Sequence, residues 1–193
     1  VHDGIMFLTH PQNVIQAIDA ATGELIWEYA YDYPADSQTL GGPTKNIALY
    51  GDKVFLATYD AAIVALDARS GAQVWRTVKA NYKSGYTHTA GPVVGDGVLI
   101  SGINGCERYK KGGCFITGHD PDTGKELWRT STLALPGTPE YATWGEAAPD
   151  RRGGGDVVAG WSASAFGVGS GRFARRGVNC ACGDGPDSSG NGW

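Results

Sequence analysis

The chain has 193 residues, 41% of them hydrophobic and 19% charged, and its formal net charge is −4. This composition is typical of a folded globular protein and argues against disorder over most of the chain. No basic stripe is present, which argues against a nucleic-acid partner, and the apolar runs reach only strand length, so no transmembrane segment is expected.

An 11-residue phrase returns three times, in residues 17–27, 65–75 and 118–128, and each copy ends in a tryptophan. The tryptophans, Trp27, Trp75 and Trp128, are 48 and then 53 residues apart. A repeat of this period that carries strand patterns and tight turns is typical of a β-propeller. We therefore predict an all-β fold, a partial β-propeller of about three blades.

Each repeat is predicted to form four short strands, because apolar and polar residues alternate between turn residues. Residues 1–4 are expected to lie within a strand. In the second repeat the predicted strands are 47–50, 54–58, 63–66 and 73–77, and in the third they are 91–94, 98–100, 114–117 and 127–130.

The turn inside each repeat has a local chemical explanation. An aspartate at its head accepts hydrogen bonds from backbone N–H groups two or three residues later, and the following glycine supplies a positive φ angle. The closing tryptophan is a large flat hydrophobe with one N–H donor, suited to lie between neighbouring blades. These tryptophans are therefore interpreted as structural residues.

The four cysteines form two sequence pairs, Cys106 with Cys114 and Cys180 with Cys182. The first pair flanks a loop rich in lysine and glycine within the patterned sequence. A disulfide there would suit an exported protein, and two reduced thiols are the alternative. The second pair has no further pair in range and makes a poor zinc site.

The repeat pattern divides the chain in two. Residues 1–152 are predicted to hold the propeller repeats. Residues 153–193 are rich in glycine and show no repeat. We expect this tail to be disordered or to result from a shifted reading frame.

Residues 101–108 form the most informative local segment because small residues directly follow a predicted strand. Such residues let the backbone approach a ligand closely, and Asn104 offers both a donor and an acceptor. Glu107 offers carboxylate oxygens to a hard cation such as Ca²⁺. An ordinary loop is the alternative interpretation of this segment. For His88 we favour a hydrogen-bonded strand-end residue over a group that edges a pocket.

Several segments together resemble one known family. Residues 86–92 read Tyr-Thr-His-Thr-Ala-Gly-Pro and residues 102–107 read Gly-Ile-Asn-Gly-Cys-Glu, and they are joined by residues 113–118, residues 135–139 and the tryptophan repeats. Over residues 1–156 the sequence resembles the quinoprotein alcohol dehydrogenases of the methanol and ethanol dehydrogenase type. These are eight-bladed propellers that bind pyrroloquinoline quinone (PQQ). The resemblance implies an N-terminal fragment of such an enzyme.

The resemblance assigns roles residue by residue. It implies that the Thr89 hydroxyl contacts a cofactor carboxylate and that Glu107 binds the metal, Ca²⁺ or a lanthanide. The residues that it implies to bind the cofactor are Thr89, Asn104, Gly105, Cys106 and Lys45. Lys45 stands where the family has an arginine, which keeps the charge but loses the bidentate fork.

The sequence departs from the family pattern at three places. Thr39 and Leu40 stand about where many members have two adjacent cysteines, and Val157 and Val158 stand where a tryptophan stacks on the cofactor. The aspartate that acts as catalytic base, and an asparagine that completes the metal site, lie further downstream in the family. We therefore expect the parent protein to be an enzyme and this chain alone to be inactive.

The implied reaction is oxidation of a small alcohol to an aldehyde by hydride transfer to the quinone, in the periplasm, with a cytochrome c-type protein as electron acceptor. The alternative is a non-catalytic propeller scaffold for protein–protein interaction in the cell envelope. The departures at Lys45 and at the cysteine pair favour the scaffold, whereas the spacing of Thr89, Asn104 and Glu107 favours the enzyme.

Overall fold

The computed structural model describes residues 1–37, 46–106, 113–148 and 152. Within them the chain forms three antiparallel sheets in sequence order, which confirms the all-β, propeller-type prediction. The strands are β1 (Ile5–His10), β2 (Val14–Asp19), β3 (Leu25–Ala30), β4 (Ala48–Tyr50), β5 (Lys53–Ala57), β6 (Ala62–Asp67), β7 (Gln73–Val78), β8 (Val93–Gly95), β9 (Val98–Ser101), β10 (Phe115–His119) and β11 (Glu126–Ser131). Two 3₁₀ helices, Tyr82–Ser84 and Pro139–Trp144, were not expected from the sequence.

Each sheet is one blade. The second blade has the order β4-β5-β6-β7 and the third has β8-β9-β10-β11. The first has three strands among the described residues, β1-β2-β3. The expectation of a strand over residues 1–4 was wrong, because His2 pairs with Ile5 in an isolated bridge around a tight turn.

The three blades share one irregularity. The register shifts between Ala17 and Ile18 in the first blade, between Ala65 and Leu66 in the second, and between Gly118 and His119 in the third. In every blade this bulge directly follows the residue paired with the tryptophan of the outermost strand. A bulge increases local twist, so the same kink shapes each blade at the same place.

The predicted turn chemistry is confirmed in all three repeats. Asp19 Oδ1 accepts hydrogen bonds from the N–H groups of residues 21 and 22, each at 2.8 Å, and Asp67 and Asp120 make the equivalent contacts. The glycines that close these turns, at positions 23, 71 and 124, have φ angles of 77°, 72° and 72°.

The tryptophans join one blade to the next. Trp27 of the first blade lies over Gly71 of the second, and its Nε1–H donates to the Ala68 carbonyl at 3.1 Å. Trp75 repeats the arrangement on the third blade, where it lies over Gly124 and donates to the Pro121 carbonyl at 3.1 Å. The expectation that these tryptophans lie between blades is therefore confirmed.

Apolar side chains fill the space between blades on both faces of the second sheet. Val54 and Leu56 of β5 pack toward the first blade with Ile15 and Trp27, whereas Phe55 packs with Leu99 of the third blade. This alternation follows from the two-residue period of a strand buried on both faces. The second blade is thereby held on both sides, and it positions the loops described next.

Candidate cofactor site

Two loops of the third blade meet at Asn104. Asn104 and Thr87 exchange backbone hydrogen bonds, with N···O distances of 2.9 Å and 3.1 Å. The Asn104 side chain adds a third contact, because its Oδ1 accepts from the Thr89 N–H at 3.1 Å. Asn104 is buried, with 3% of its surface exposed. The structure therefore brings together Thr89 and Asn104, two of the residues predicted to bind a cofactor.

Gly105 allows these loops to approach each other closely. Its φ angle is +98°, and a Cβ atom there would lie 2.0 Å from the carbonyl oxygen of Gly85. A larger residue would therefore push the two loops apart. The close approach of the loop that contains Gly85 thus explains why a glycine is needed at position 105. Contact of Gly105 with a cofactor stays a prediction.

A disulfide closes the segment that follows. Cys106 and Cys114 are bonded, with Cα atoms 5.7 Å apart, and both residues are fully buried. They pack with Ile103, Ala61 and Phe115 in one apolar cluster. This confirms the disulfide and rules out the alternative of two reduced thiols in this structure. The bond ties Cys106, two residues after Asn104, to Cys114.

The site contains buried polar atoms whose hydrogen-bonding capacity is unused. Within the described part of the chain, Thr87 Oγ1, Thr89 Oγ1 and Asn104 Nδ2 have no hydrogen-bond partner. Each such atom costs about 1–3 kcal/mol when it is left unpaired. Two hydroxyls and an amide N–H₂ are donors that match carboxylate and carbonyl oxygens. These unpaired donors could therefore bind carboxylate or carbonyl oxygens of a small molecule.

Two buried basic residues accompany these loops: His88 lies between Thr87 and Thr89, and Lys79 contacts the Ser101 and Gly102 carbonyls. His88 is 1% exposed, and its Nδ1 lies 3.0 Å from the Thr58 carbonyl oxygen. Burial, reinforced by the charge of Lys79, lowers the pKa of His88 to about 3, so its imidazole is neutral at pH 7. Burial also lowers the pKa of Lys79 well below its usual value. The hydrogen bond expected for His88 is confirmed at Nδ1, but within the described residues its Nε2 has no partner, and His88 follows the isolated bridge at Thr87 rather than the end of a strand.

Lys45, predicted to bind the cofactor, and Glu107, predicted to bind the metal, lie outside the described residues. The positions that depart from the family pattern, Thr39, Leu40, Val157 and Val158, also lie outside them. Asn46, which follows Lys45, accepts the Gly91 N–H at 2.7 Å and so reaches the segment after Thr89. Across residues 1–37, 46–106, 113–148 and 152, no group of three or more His, Cys, Asp or Glu residues could hold a metal ion. No helix in those same ranges is long and apolar enough to cross a membrane.

Sequence reasoning missed two members of this site. The Thr87 hydroxyl was not singled out, although it lies in the segment that carries the family resemblance. Lys79 was not noticed because its contacts, to the Ser101 and Gly102 carbonyl oxygens, lie 22 and 23 residues away along the chain. A lysine at a strand end gives no sequence signal that distinguishes burial from exposure.

One known protein family matches most of the chain. A family model described as "Outer membrane protein assembly factor BamB" (PQQ_2) matches residues 1–172. A 1-butanol dehydrogenase (quinone) of Thauera butanivorans is 42% identical over 135 residues, which cover 66% of this chain and 21% of that protein. The chain thus spans about a fifth of the length of this curated relative.

Solved structures agree with the same architecture. A quinohemoprotein alcohol dehydrogenase from Comamonas testosteroni superimposes with a TM-score of 0.58 and 29% identity, over 72% of this chain and 21% of that one. A europium-containing methanol dehydrogenase superimposes with a TM-score of 0.60 and 23% identity, over 69% of this chain and 24% of that one. The predicted resemblance to quinoprotein alcohol dehydrogenases is confirmed.

Proposed function

Since the chain belongs to the PQQ-repeat family described as outer membrane protein assembly factor BamB and its relatives include quinoprotein alcohol dehydrogenases, we propose that it forms part of a PQQ-dependent alcohol dehydrogenase. Its blades supply one section of the cofactor and metal cradle. The substrate is a small alcohol, and the product is the corresponding aldehyde.

The unpaired donors around Asn104 carry this proposal. PQQ is a flat molecule edged by carboxylates and quinone carbonyls, and buried hydroxyl and amide donors match such oxygens. Thr89 Oγ1 and Asn104 Nδ2 would bind the cofactor's rim, with Thr87 Oγ1 as a third donor. Gly105 and Cys106 would contribute to the cofactor site from the same segment as Asn104. Lys45 would place a positive charge near a carboxylate of the cofactor.

A metal ion belongs to the same proposal. Glu107 directly follows Cys106, which the disulfide ties to Cys114. Its carboxylate oxygens suit a hard cation such as Ca²⁺. A lanthanide is the second candidate, because one structural neighbour is a europium-containing enzyme.

When bound, the quinone would supply a hydride acceptor for the alcohol and the metal would supply a Lewis acid. The residues of this chain hold and orient the cofactor, and the catalytic base is expected elsewhere in the parent protein. The chain alone should therefore not turn over. We place the protein in the periplasm, which suits the Cys106–Cys114 disulfide, and propose a cytochrome c-type electron acceptor.

The test is an equilibrium titration of the 193-residue chain with PQQ in the presence of Ca²⁺, followed by tryptophan fluorescence. Thr89→Val removes one predicted hydrogen bond to a charged group and should weaken binding about tenfold. Thr130→Val, on an exposed residue of β11, is the matched control and should leave the affinity unchanged. Glu107→Ala should abolish the effect of Ca²⁺. Equal affinities for both threonine variants would contradict the assigned site.

A scaffold that binds other proteins in the cell envelope is the second candidate, favoured by the description of the matching family model. A scaffold needs neither PQQ nor Ca²⁺. If the unmodified chain and the Glu107→Ala variant both fail to bind PQQ, the scaffold becomes the better account.

A further inference from the structure

Lys79 is a buried lysine in an unusual environment. It follows β7 at the end of the second blade and is 4% exposed. Lysine is almost never fully buried unless its charge is paired. Within the described part of the chain, no carboxylate lies within ion-pair distance of its Nζ. Its polar partners are two backbone carbonyl oxygens, those of Ser101 at 2.8 Å and Gly102 at 2.7 Å.

These two carbonyls belong to the segment that leads into the candidate site. Ser101 is the last residue of β9, and Gly102 is two residues before Asn104. Ser101 also accepts a hydrogen bond from Thr117 Oγ1 at 3.3 Å. Lys79 therefore holds the end of the strand at the point where the chain turns toward Asn104.

Lys79 is itself held firmly. Its N–H donates to the Ala61 carbonyl at 2.9 Å, and its own carbonyl accepts from Arg129 Nη2 at 3.2 Å. Lys79 Nζ lies 5.7 Å from the centroid of the Phe115 ring, and the Arg129 guanidinium carbon lies 3.9 Å from it. The side chain thus crosses from the second blade to the third with both of its ends fixed.

An apolar residue at position 79 would avoid the cost of burying an amine, so the contacts with the two carbonyls need an explanation of their own. We propose that Lys79 is a positioning residue for the cofactor site, which sets the path of residues 101–104 so that Thr87, Thr89 and Asn104 present their donors to one ligand. This inference rests on the proposed function, because it concerns the same site.

The first test needs no cofactor. Lys79→Met keeps a long flexible side chain but removes the short hydrogen bond that Lys79 donates to each carbonyl, leaving the longer ones from Thr117 Oγ1 to Ser101 and from Ser101 Oγ to Gly102. We expect hydrogen exchange at the Thr87 and Asn104 amides to accelerate about tenfold or more, because their mutual hydrogen bonds depend on the path of the loop. Exchange at the amide of Val64, in the centre of the second blade, should not change.

Thr77→Val is the matched control. Thr77 lies two residues earlier, and its Oγ1 donates to the Gly124 carbonyl of the third blade at 2.9 Å. This variant also removes a hydrogen bond between the second and third blades, but at the outer turn. It should leave exchange at Thr87 and Asn104 unchanged. Equal acceleration in both variants would show that Lys79 only joins the blades, which overturns the proposal.

The second test measures PQQ affinity in Ca²⁺. Lys79→Met should weaken binding about tenfold, whereas Thr77→Val should change it less than about twofold. If Lys79→Met does not fold, Lys79→Gln, which keeps one donor, replaces it in both tests and should show smaller changes in the same direction. If the unmodified chain does not bind PQQ, the proposed function is contradicted. If the unmodified chain binds PQQ but no more tightly than the Lys79 variant, only the proposed role of Lys79 is contradicted.

Discussion

The contact between a tryptophan and the glycine of the next blade can be tested by adding a single methyl group. At Gly71 the new Cβ would lie 2.7 Å from two ring carbons of Trp27, Cδ2 and Cε3. Trp27 is 8% exposed and is held by its hydrogen bond to the Ala68 carbonyl. Gly71→Ala should therefore displace the ring and weaken the contact between the first and second blades.

The expected decrease in the free energy of unfolding has two contributions. A φ angle of +72° costs an alanine about 1–2 kcal/mol. Forcing extra volume against a packed ring costs a further 1–3 kcal/mol or so. Gly23 separates the two parts, because it closes the same turn in the first blade with a φ angle of +77°, and a Cβ there meets nothing within 4 Å. Gly23→Ala should show the backbone cost alone.

The measurement is urea unfolding of the 193-residue chain, followed by circular dichroism so that the signal does not depend on the tryptophan itself. Gly71→Ala should lower the free energy of unfolding by about 1–3 kcal/mol more than Gly23→Ala does. Equal losses in the two variants would refute the idea that this tryptophan–glycine contact joins the blades.

Three further predictions concern stability. Cys106→Ser with Cys114→Ser should lower the free energy of unfolding by about 2–3 kcal/mol, measured in urea, since the bond closes a loop with a sequence separation of 8; no loss would mean that the loop is constrained without it. Because the pKa of His88 is lowered to about 3, the unfolded chain binds a proton that the folded chain does not between pH 6.5 and 3. The free energy of unfolding should therefore be about 2 kcal/mol lower at pH 5 than at pH 8, and His88→Gln should remove this part of the pH dependence. Arg76→Met should lower the free energy of unfolding by about 3 kcal/mol in the same urea assay, because Asp60, whose side chain is fully buried, loses its cationic partner at 2.7 Å and keeps the hydroxyl contacts of Tyr31 and Thr58; an unchanged midpoint would show that the pair contributes nothing.

The fold was predictable from the sequence where local chemistry decides it. The hydrogen bonds of Asp19 and the positive φ angle of Gly23 are explained by the turn that contains them, and the same pair of residue types recurs in each repeat. The period of the tryptophans then indicates the blades, because a large flat ring at the third residue of every outermost strand needs a surface to cover. That this surface is a glycine of the next blade, Gly71 for Trp27, required the structure.

The candidate site was only partly predictable. Asn104 and Thr89 could be named because a segment of known type carries them. The unpaired hydroxyl of Thr87 and the carbonyl contacts of Lys79 depend on how the second blade packs against the third. Such contacts join residues that are distant in sequence and involve backbone atoms, which every residue has, so side-chain patterns do not reveal them.

Binding of PQQ by the buried donors around Asn104 can be observed atom by atom. The most direct measurement is an NMR titration of the ¹⁵N-labelled chain with PQQ and Ca²⁺, observing the Asn104 side-chain amide and the Thr87 and Thr89 backbone amides. We expect saturable shifts that are largest at these three groups and absent in Asn104→Ala at the same PQQ concentration. Shifts centred on other residues, or no saturable shift at all, would show that these donors do not bind PQQ.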